Sequence, residues 1–155
     1  MLPRTALRDY RGTLGYAPQA VDLPEDLTAR AFIGFIAAQK GLDRRAADAQ
    51  FLALADAVGL HADAGRLIAT YSGGMRRRLV FVQALLGAPR VIALDEPTAE
   101  LDADSAGRVA ALIRERAAHA TIIMTTHLAA ELAADAAATL RVEGGAVTPA
   151  RVMAA

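Results

Sequence analysis

Two adjacent carboxylates, Asp95 and Glu96, follow the apolar run Val91-Ile92-Ala93-Leu94 and precede Pro97. An apolar run without polar alternation suits a strand buried on both faces of a parallel sheet. In open parallel sheets, ligands gather at the carboxyl ends of strands. A carboxylate there can hold Mg2+, directly or through water, because hard cations take oxygen ligands. Its neighbour can orient or deprotonate an attacking water. The plainer reading is a solvated strand exit. Ser72-Gly73-Gly74 opens a helix, where free N–H groups and the helix dipole favour an anion. The plainer reading there is an N-cap with a flexible start. His127 follows the apolar run Thr121–Thr125 and can reach a phosphate oxygen or simply cap a helix. Gln19 is a polar residue at a strand end. Arg76-Arg77-Arg78 reads as a solvated helix face, since successive helical residues point in different directions. His61 and His119 have no motif around them and read as surface residues.

Several elements must position these groups. Thr13–Ala17 reads as a short strand ended by Pro18. Thr28 is an N-cap for a helix running to about Lys40, with Gly41 after it. Its apolar face is Phe32, Ile33, Phe35 and Ile36. A second helix runs from Asp43 to about Val58 and stops at Gly59, with Phe51, Leu52, Ala55 and Val58 at helical spacing. A third begins near Ser72, carries Met75, Leu79, Val82 and Leu86, and ends at Gly87 and Pro89. A fourth, roughly Ser105 to Ala118, carries Ala106, Val109 and Ile113. Thr121–Thr125 reads as a second buried strand, followed by an Ala-rich helix to about Ala137. A hairpin over 139–147 closes the series. Alternating strands and helices give an α/β class with a parallel sheet. The helical block over about 27–86 sits as an insertion between two core strands.

Composition narrows the function. The chain has 155 residues, 54% of them apolar, with 17 basic and 17 acidic residues. That length suits one domain with a sizeable core. Zero net charge and the lack of a basic tail argue against a nucleic-acid partner. With no cysteine, a disulfide framework and a thiolate metal site are excluded. No apolar stretch approaches a membrane span, and Met1-Leu2-Pro3-Arg4 lacks the apolar core of a signal peptide. The expected compartment is the cytoplasm.

The order of the motifs says more than any one of them. It resembles the nucleotide-binding domain of ABC transporters over nearly all the chain. Gly15-Tyr16-Ala17-Pro18-Gln19 is similar to that family's Q-loop. Tyr71-Ser72-Gly73-Gly74-Met75 resembles the signature motif, with Tyr for Leu and Met for Gln. Val91 to Glu96 resembles Walker B with its adjoining glutamate, Thr98 to Asp102 the D-loop, and Thr126-His127 the H-loop. Only 52 residues (20–71) separate Gln19 from Ser72, without sustained heptads. That sets aside the chromosome-maintenance relatives, which insert a long coiled coil there.

The resemblance implies a P-loop ATPase fold: a parallel sheet core (88–155 with the Q-loop strand 11–19), an inserted helical subdomain with the signature helix (27–87), and a short C-terminal hairpin. It implies ATP and Mg2+ as cofactors, with Asp95 and Gln19 at the metal. Glu96 and His127 would act in hydrolysis, and Ser72, Gly73, Gly74, Gln19 and Asp102 would bind nucleotide. It implies a head-to-tail dimer with a second ABC ATPase domain. A membrane permease, most like the export type, would meet Gln19 and the 21–32 region at the inner face of the membrane.

One part of the family pattern is missing. The P-loop, Gly-x-x-x-x-Gly-Lys-Ser/Thr, belongs upstream of the Q-loop. The eighteen residues before Gln19 hold no lysine and no such glycine pattern. The expectation is therefore a truncated, C-terminal part of an ABC ATPase domain, inactive alone. The alternative is a non-catalytic half-site that lends its signature motif to a P-loop-bearing partner. The resemblance further implies that the strand at Thr121–Thr125 lacks one neighbour.

Overall fold

The computed structural model describes residues 10–20, 22–126 and 134–152. Three helices form the insertion: α1 (Ala29–Lys40), α2 (Arg44–Ala57) and α3 (Gly73–Leu85). Each starts on the residue type its N-terminus needs. The side chains of Thr28, Asp43 and Ser72 accept from the N–H groups of Ala31, Ala46 and Met75, satisfying donors the helices leave open. Gly41 ends α1 with φ of 72°, a left-handed turn that glycine adopts without penalty. Two short 3-10 turns, His61–Asp63 and Ile68–Thr70, lead from α2 to α3.

The helical core is Ile33 and Ala37 of α1, Phe51, Leu54 and Ala55 of α2, and Val58 just beyond. Phe35 was expected on this face but is 58% exposed; α1 turns Ala29, Ile33 and Ala37 inward instead. The third helix departs further from its expected single stripe. Leu79, Val80, Phe81, Val82, Ala84 and Leu85 are all buried. The second half of α3 is apolar on nearly every side and must be covered there, and α3 packs on α1 and α2 and on two strands.

Those strands belong to a parallel sheet of β1 (Leu14–Ala17), β2 (Val91–Asp95) and β3 (Thr121–Thr125), in the order β1-β2-β3. Helix α4 (Ala103–Ala117) joins β2 to β3 and packs on β3. It starts at Ala103, capped by Asp102, slightly earlier than the expected Ser105. A separate antiparallel hairpin, β4 (Ala138–Glu143) and β5 (Ala146–Val152), turns at Gly144-Gly145. The expected helix after His127 lies largely outside the described residues.

Both crossovers, β1 to β2 and β2 to β3, advance in the same direction. Right-handed connection then puts α3 and α4 on one face of the sheet. Gly15, Ala17, Ile92 and Leu94 point to that face and are buried. The opposite face carries Leu14, Tyr16, Val91, Ala93 and Ile123, aligned by the register. It is open: Tyr16 is 53% and Ile123 62% exposed. The expectation of strands buried on both faces therefore fails for β2 in part and for β3 outright. Among the described residues β3 pairs with β2 alone, and its side chains are exposed or half-buried throughout.

Candidate functional site

Parallel strands bring their carboxyl ends to one rim, and three of the sequence-predicted groups follow those ends. Ala17 stands level with Leu94, and Asp95 with Thr125. Gln19 comes two residues after β1 and is exposed. Asp95 ends β2, and Glu96 follows it. His127, two residues beyond β3, lies outside the described residues.

The rim is organised by a residue that sequence reading passed over. The Thr125 hydroxyl donates to Asp95 Oδ1 and accepts from the Glu96 N–H at 3.2 Å. A threonine opposite the Asp of a parallel neighbour was the available signal. Glu96 adopts φ of 47°, a left-handed conformation uncommon for any residue but glycine. Glu100, four residues on, has φ of 62°. Such conformations cost about 1–3 kcal/mol each and persist where surroundings impose them. Here Arg77 supplies part of that constraint. Its guanidinium donates to the Glu96 carbonyl at 3.3 Å and stands 3.8 Å from the Glu100 carboxylate.

Arg77 and its neighbours correct the expectation of a solvated face. Arg76 pairs with Glu25 at 2.7 Å. Arg78 donates to the carbonyls of Val58 at 2.8 Å and Gly59 at 3.3 Å, closing the end of α2. Three successive side chains do diverge, but each finds a different wall of the cleft around α3. Glu96 itself is only 5% exposed. A carboxylate meant to polarise water would need water admitted to it.

Ser72 caps α3, its hydroxyl accepting from the Met75 N–H at 3.3 Å. Among the described residues the place where a Cβ would stand on Gly73 has no atom within 4 Å, whereas that of Gly74 meets Leu101 at 3.5 Å. The start of α3 is thus open at Gly73 and packed on the 100–101 loop at Gly74. Tyr71, buried, donates its hydroxyl to the Asp63 carbonyl at 2.7 Å. That bond fixes the approach to α3.

Asp102 is the N-cap of α4. It accepts from the Ser105 N–H at 2.9 Å and from the Ser105 hydroxyl at 2.8 Å. These bonds, the backbone one first, hold its carboxyl below the ordinary aspartate range. A depressed carboxyl stabilises the fold fully above its unfolded pKa of about 3.9, and that contribution disappears as pH falls through the lower folded value. Asp102→Ala is therefore expected to be less stable than the parent at pH 7. The gap should shrink on acidification below about pH 4, read as the urea midpoint at each pH.

Among the described residues no cluster of three or more metal-binding side chains occurs. Asp95 alone suits Mg2+ only as one ligand among phosphate oxygens and water, the usual manner for that ion. No helix among the described residues is long and apolar enough to cross a membrane.

The chain matches the ABC transporter family over residues 2–99. The chain belongs to the ABC transporter ATP-binding family. It is 36% identical over 118 residues to the uncharacterised ABC transporter ATP-binding protein YxlF of Bacillus subtilis, covering 76% of this chain and 40% of that protein. It is 36% identical over 122 residues to ATP-binding cassette sub-family A member 9 of Homo sapiens, covering 77% of this chain and 8% of that protein. A solved ATP-binding subunit of an ABC transporter shares the fold, with a TM-score of 0.81 at 24% identity, covering 92% of this chain and 61% of that one. This chain thus spans less than two thirds of each of these proteins. The P-loop ATPase class expected from the motifs is the fold observed.

Proposed function

We propose that this chain carries the Walker B, signature, D-loop and H-loop part of an ABC ATPase that drives transport across a membrane, and that a phosphate-gripping loop comes from a segment outside these 155 residues. The observation that carries the reading is the shared rim. Gln19 and the Asp95-Glu96 pair leave the same end of two neighbouring parallel strands, and Arg77 ties the signature helix to Glu96. In this reading Asp95, with Gln19, holds Mg2+ against the phosphates, and Mg2+ supplies charge neutralisation there. Glu96 orients the attacking water, and His127 reaches the terminal phosphate. Ser72, Gly73 and Gly74 offer the N–H groups of a helix start to phosphate oxygens, with Asp102 beside them.

The open sheet face supports an outside source for the loop. A further parallel strand beside β3, joined forward to β1, would cross back against the direction of β1-β2-β3. Right-handedness would then lay its helix on the face carrying Tyr16 and Ile123. The turn between that strand and helix would fall at the reversal of strand order, where such sheets bind ligands. The boundaries 11–19, 27–87 and 88–155 follow as Q-loop strand, helical subdomain and catalytic core of one partial domain. A membrane subunit meeting Gln19 and the 21–32 region would hold the chain at the cytoplasmic face, and a second ABC domain would complete a head-to-tail dimer.

The open start of α3 at Gly73 favours a second reading, a half-site that serves a partner's P-loop. Mixing the chain with a P-loop-bearing ABC subunit separates the two. The half-site reading expects Ser72→Ala to lower the ATPase rate of the mixture about tenfold or more, the scale for losing an aligned donor. An unchanged rate leaves the fragment reading.

A further inference from the structure

Arg77 reaches from α3 into the turn that follows β2, and its side chain is only 12% exposed. Its Nη1 donates to the Glu96 carbonyl at 3.3 Å, and its Nη2 stands 3.8 Å from the Glu100 carboxylate. Both partners hold a left-handed backbone, with φ of 47° and 62°, which a residue bearing a Cβ disfavours. The Glu96 N–H donates to Thr125, and the Glu96 carbonyl also accepts from the Ala99 N–H at 3.1 Å. A second contact joins α3 to the same turn. The Cβ position of Gly74 lies 3.5 Å from Leu101 Cδ2 and 3.9 Å from the Glu100 carbonyl oxygen. Gly74 and Arg77, three residues apart, share one face of the helix. The two Arg77 contacts are unequal. Glu100 is exposed, and a wide ion pair to an exposed carboxylate contributes little. The bond from a nearly buried guanidinium to a backbone carbonyl is charge-assisted and carries more.

We propose that Arg77 is the positioning residue for Glu96: it holds the 96–100 turn in its left-handed form and so aims the Glu96 carboxylate from the signature helix. The sign of φ decides where the Cα–Cβ bond points, so a Glu96 relaxed to negative φ would carry its carboxylate elsewhere. Under the ATPase reading, on which the catalytic meaning of this role rests, the helix that bears Ser72 and Gly73 also sets the group that orients water. The two halves of the site then move as one unit. The hold of Arg77 on the turn needs no nucleotide and is measurable without turnover.

The test is NMR of the full 155-residue chain without nucleotide. In the parent, Glu96 and Glu100 should each give the strong intraresidue HN–Hα cross-peak of a positive φ. Arg77→Met keeps a long apolar stem and removes the donors. It should weaken both cross-peaks and speed hydrogen exchange at the Glu96 and Ala99 amides about tenfold or more, the scale for losing a hydrogen bond from a charged group. Amides in the buried half of α3, such as Val82 and Leu85, should exchange as before, which a general loss of stability would not allow. Arg76→Met, which loses the pair with Glu25 on another wall, should leave the turn unmoved. In a Glu96→Gly background Arg77→Met should matter less, because glycine accepts a positive φ unaided. If Arg77→Met fails to fold, the parent guanidinium is read instead: its protons should exchange slowly and give cross-peaks to the 96–100 turn. Undiminished HN–Hα cross-peaks in Arg77→Met, unchanged exchange at Glu96 and Ala99, an equal effect from Arg76→Met, or a parent guanidinium that exchanges like free arginine would overturn the proposal. Each of these results leaves the ATPase reading to its own assay.

Discussion

Gly15→Ala is expected to destabilise the chain by about 3 kcal/mol or more, at or above the upper end for overpacking a tight core. A Cβ on residue 15 would stand 2.0 Å from the Ala84 carbonyl oxygen and 2.9 Å from Pro89 Cγ. The oxygen belongs to a helix backbone and cannot rotate away, so β1 must lift from α3. Leaving α3 breaks the bond from Gln83 to the Tyr16 carbonyl, and it uncovers Ala17 and its buried neighbours. Gly12→Ala is the control, because no atom of the described residues lies within 4 Å of its Cβ position. Urea unfolding measures both. Gly12→Ala should stay within about 0.5 kcal/mol of the parent, as surface changes do. A Gly15→Ala variant equally close would mean that β1 does not rest on α3 as described. The same displacement would carry Gln19, two residues past β1, away from the rim.

The second large effect concerns catalysis. The isolated 155-residue chain is expected to release phosphate from MgATP no faster than buffer. Phosphoryl transfer is mostly positioning plus electrostatic stabilisation. Holding reactants in place alone is worth about 7–11 kcal/mol. None of the 155 residues forms the Gly-x-x-x-x-Gly-Lys pattern that would grip the phosphates. Without such a grip the rim groups would have nothing fixed to act on, so the expected loss is of activity altogether. A steady-state assay of phosphate release at saturating MgATP checks it, with Asp95→Asn as the background reference. Turnover that Asp95→Asn abolishes would show that the chain grips nucleotide by itself.

Much of the fold was legible because its local signals agree. Thr28, Asp43 and Ser72 are cap residues ahead of apolar periodicity, and all three cap helices. The apolar run at 91–94 and the run at 121–125 are both strands, and Gly144-Gly145 turns a hairpin. What the sequence concealed depends on what covers each element. Thr121–Thr125 has the composition of a buried strand, yet burial is a property of neighbours, and among the described residues β3 pairs with β2 alone. Helix α3 looked one-sided because Val80, Phe81 and Ala84 fall off the stripe; only the sandwich between sheet and helices explains them. The arginine run looked solvated because no local rule reveals that Arg77 finds the Glu96 carbonyl, 19 residues away in sequence.

The candidate site divides the same way. Asp95, Glu96 and Gln19 were legible from motif spacing, and parallel register explains why they share an end. Thr125 was not, because its role depends on lying level with Asp95 across the sheet. Asp102 was read as a nucleotide-binding residue, and the structure adds a cap bond to Ser105 that holds the start of α4. Both of its carboxylate oxygens accept from Ser105, one from the N–H and one from the hydroxyl.

The most direct measurement is equilibrium binding of MgATP, by calorimetry or a fluorescent analogue, to the chain alone and to the chain joined to the part of Bacillus subtilis YxlF that precedes its matching region. The account predicts no saturable binding by the chain alone and clear binding by the joined protein, weakened when Asp95 is replaced by Asn. Tight binding by the unaided chain would contradict it, because the triphosphate would then be held without the outside segment on which the proposed site depends.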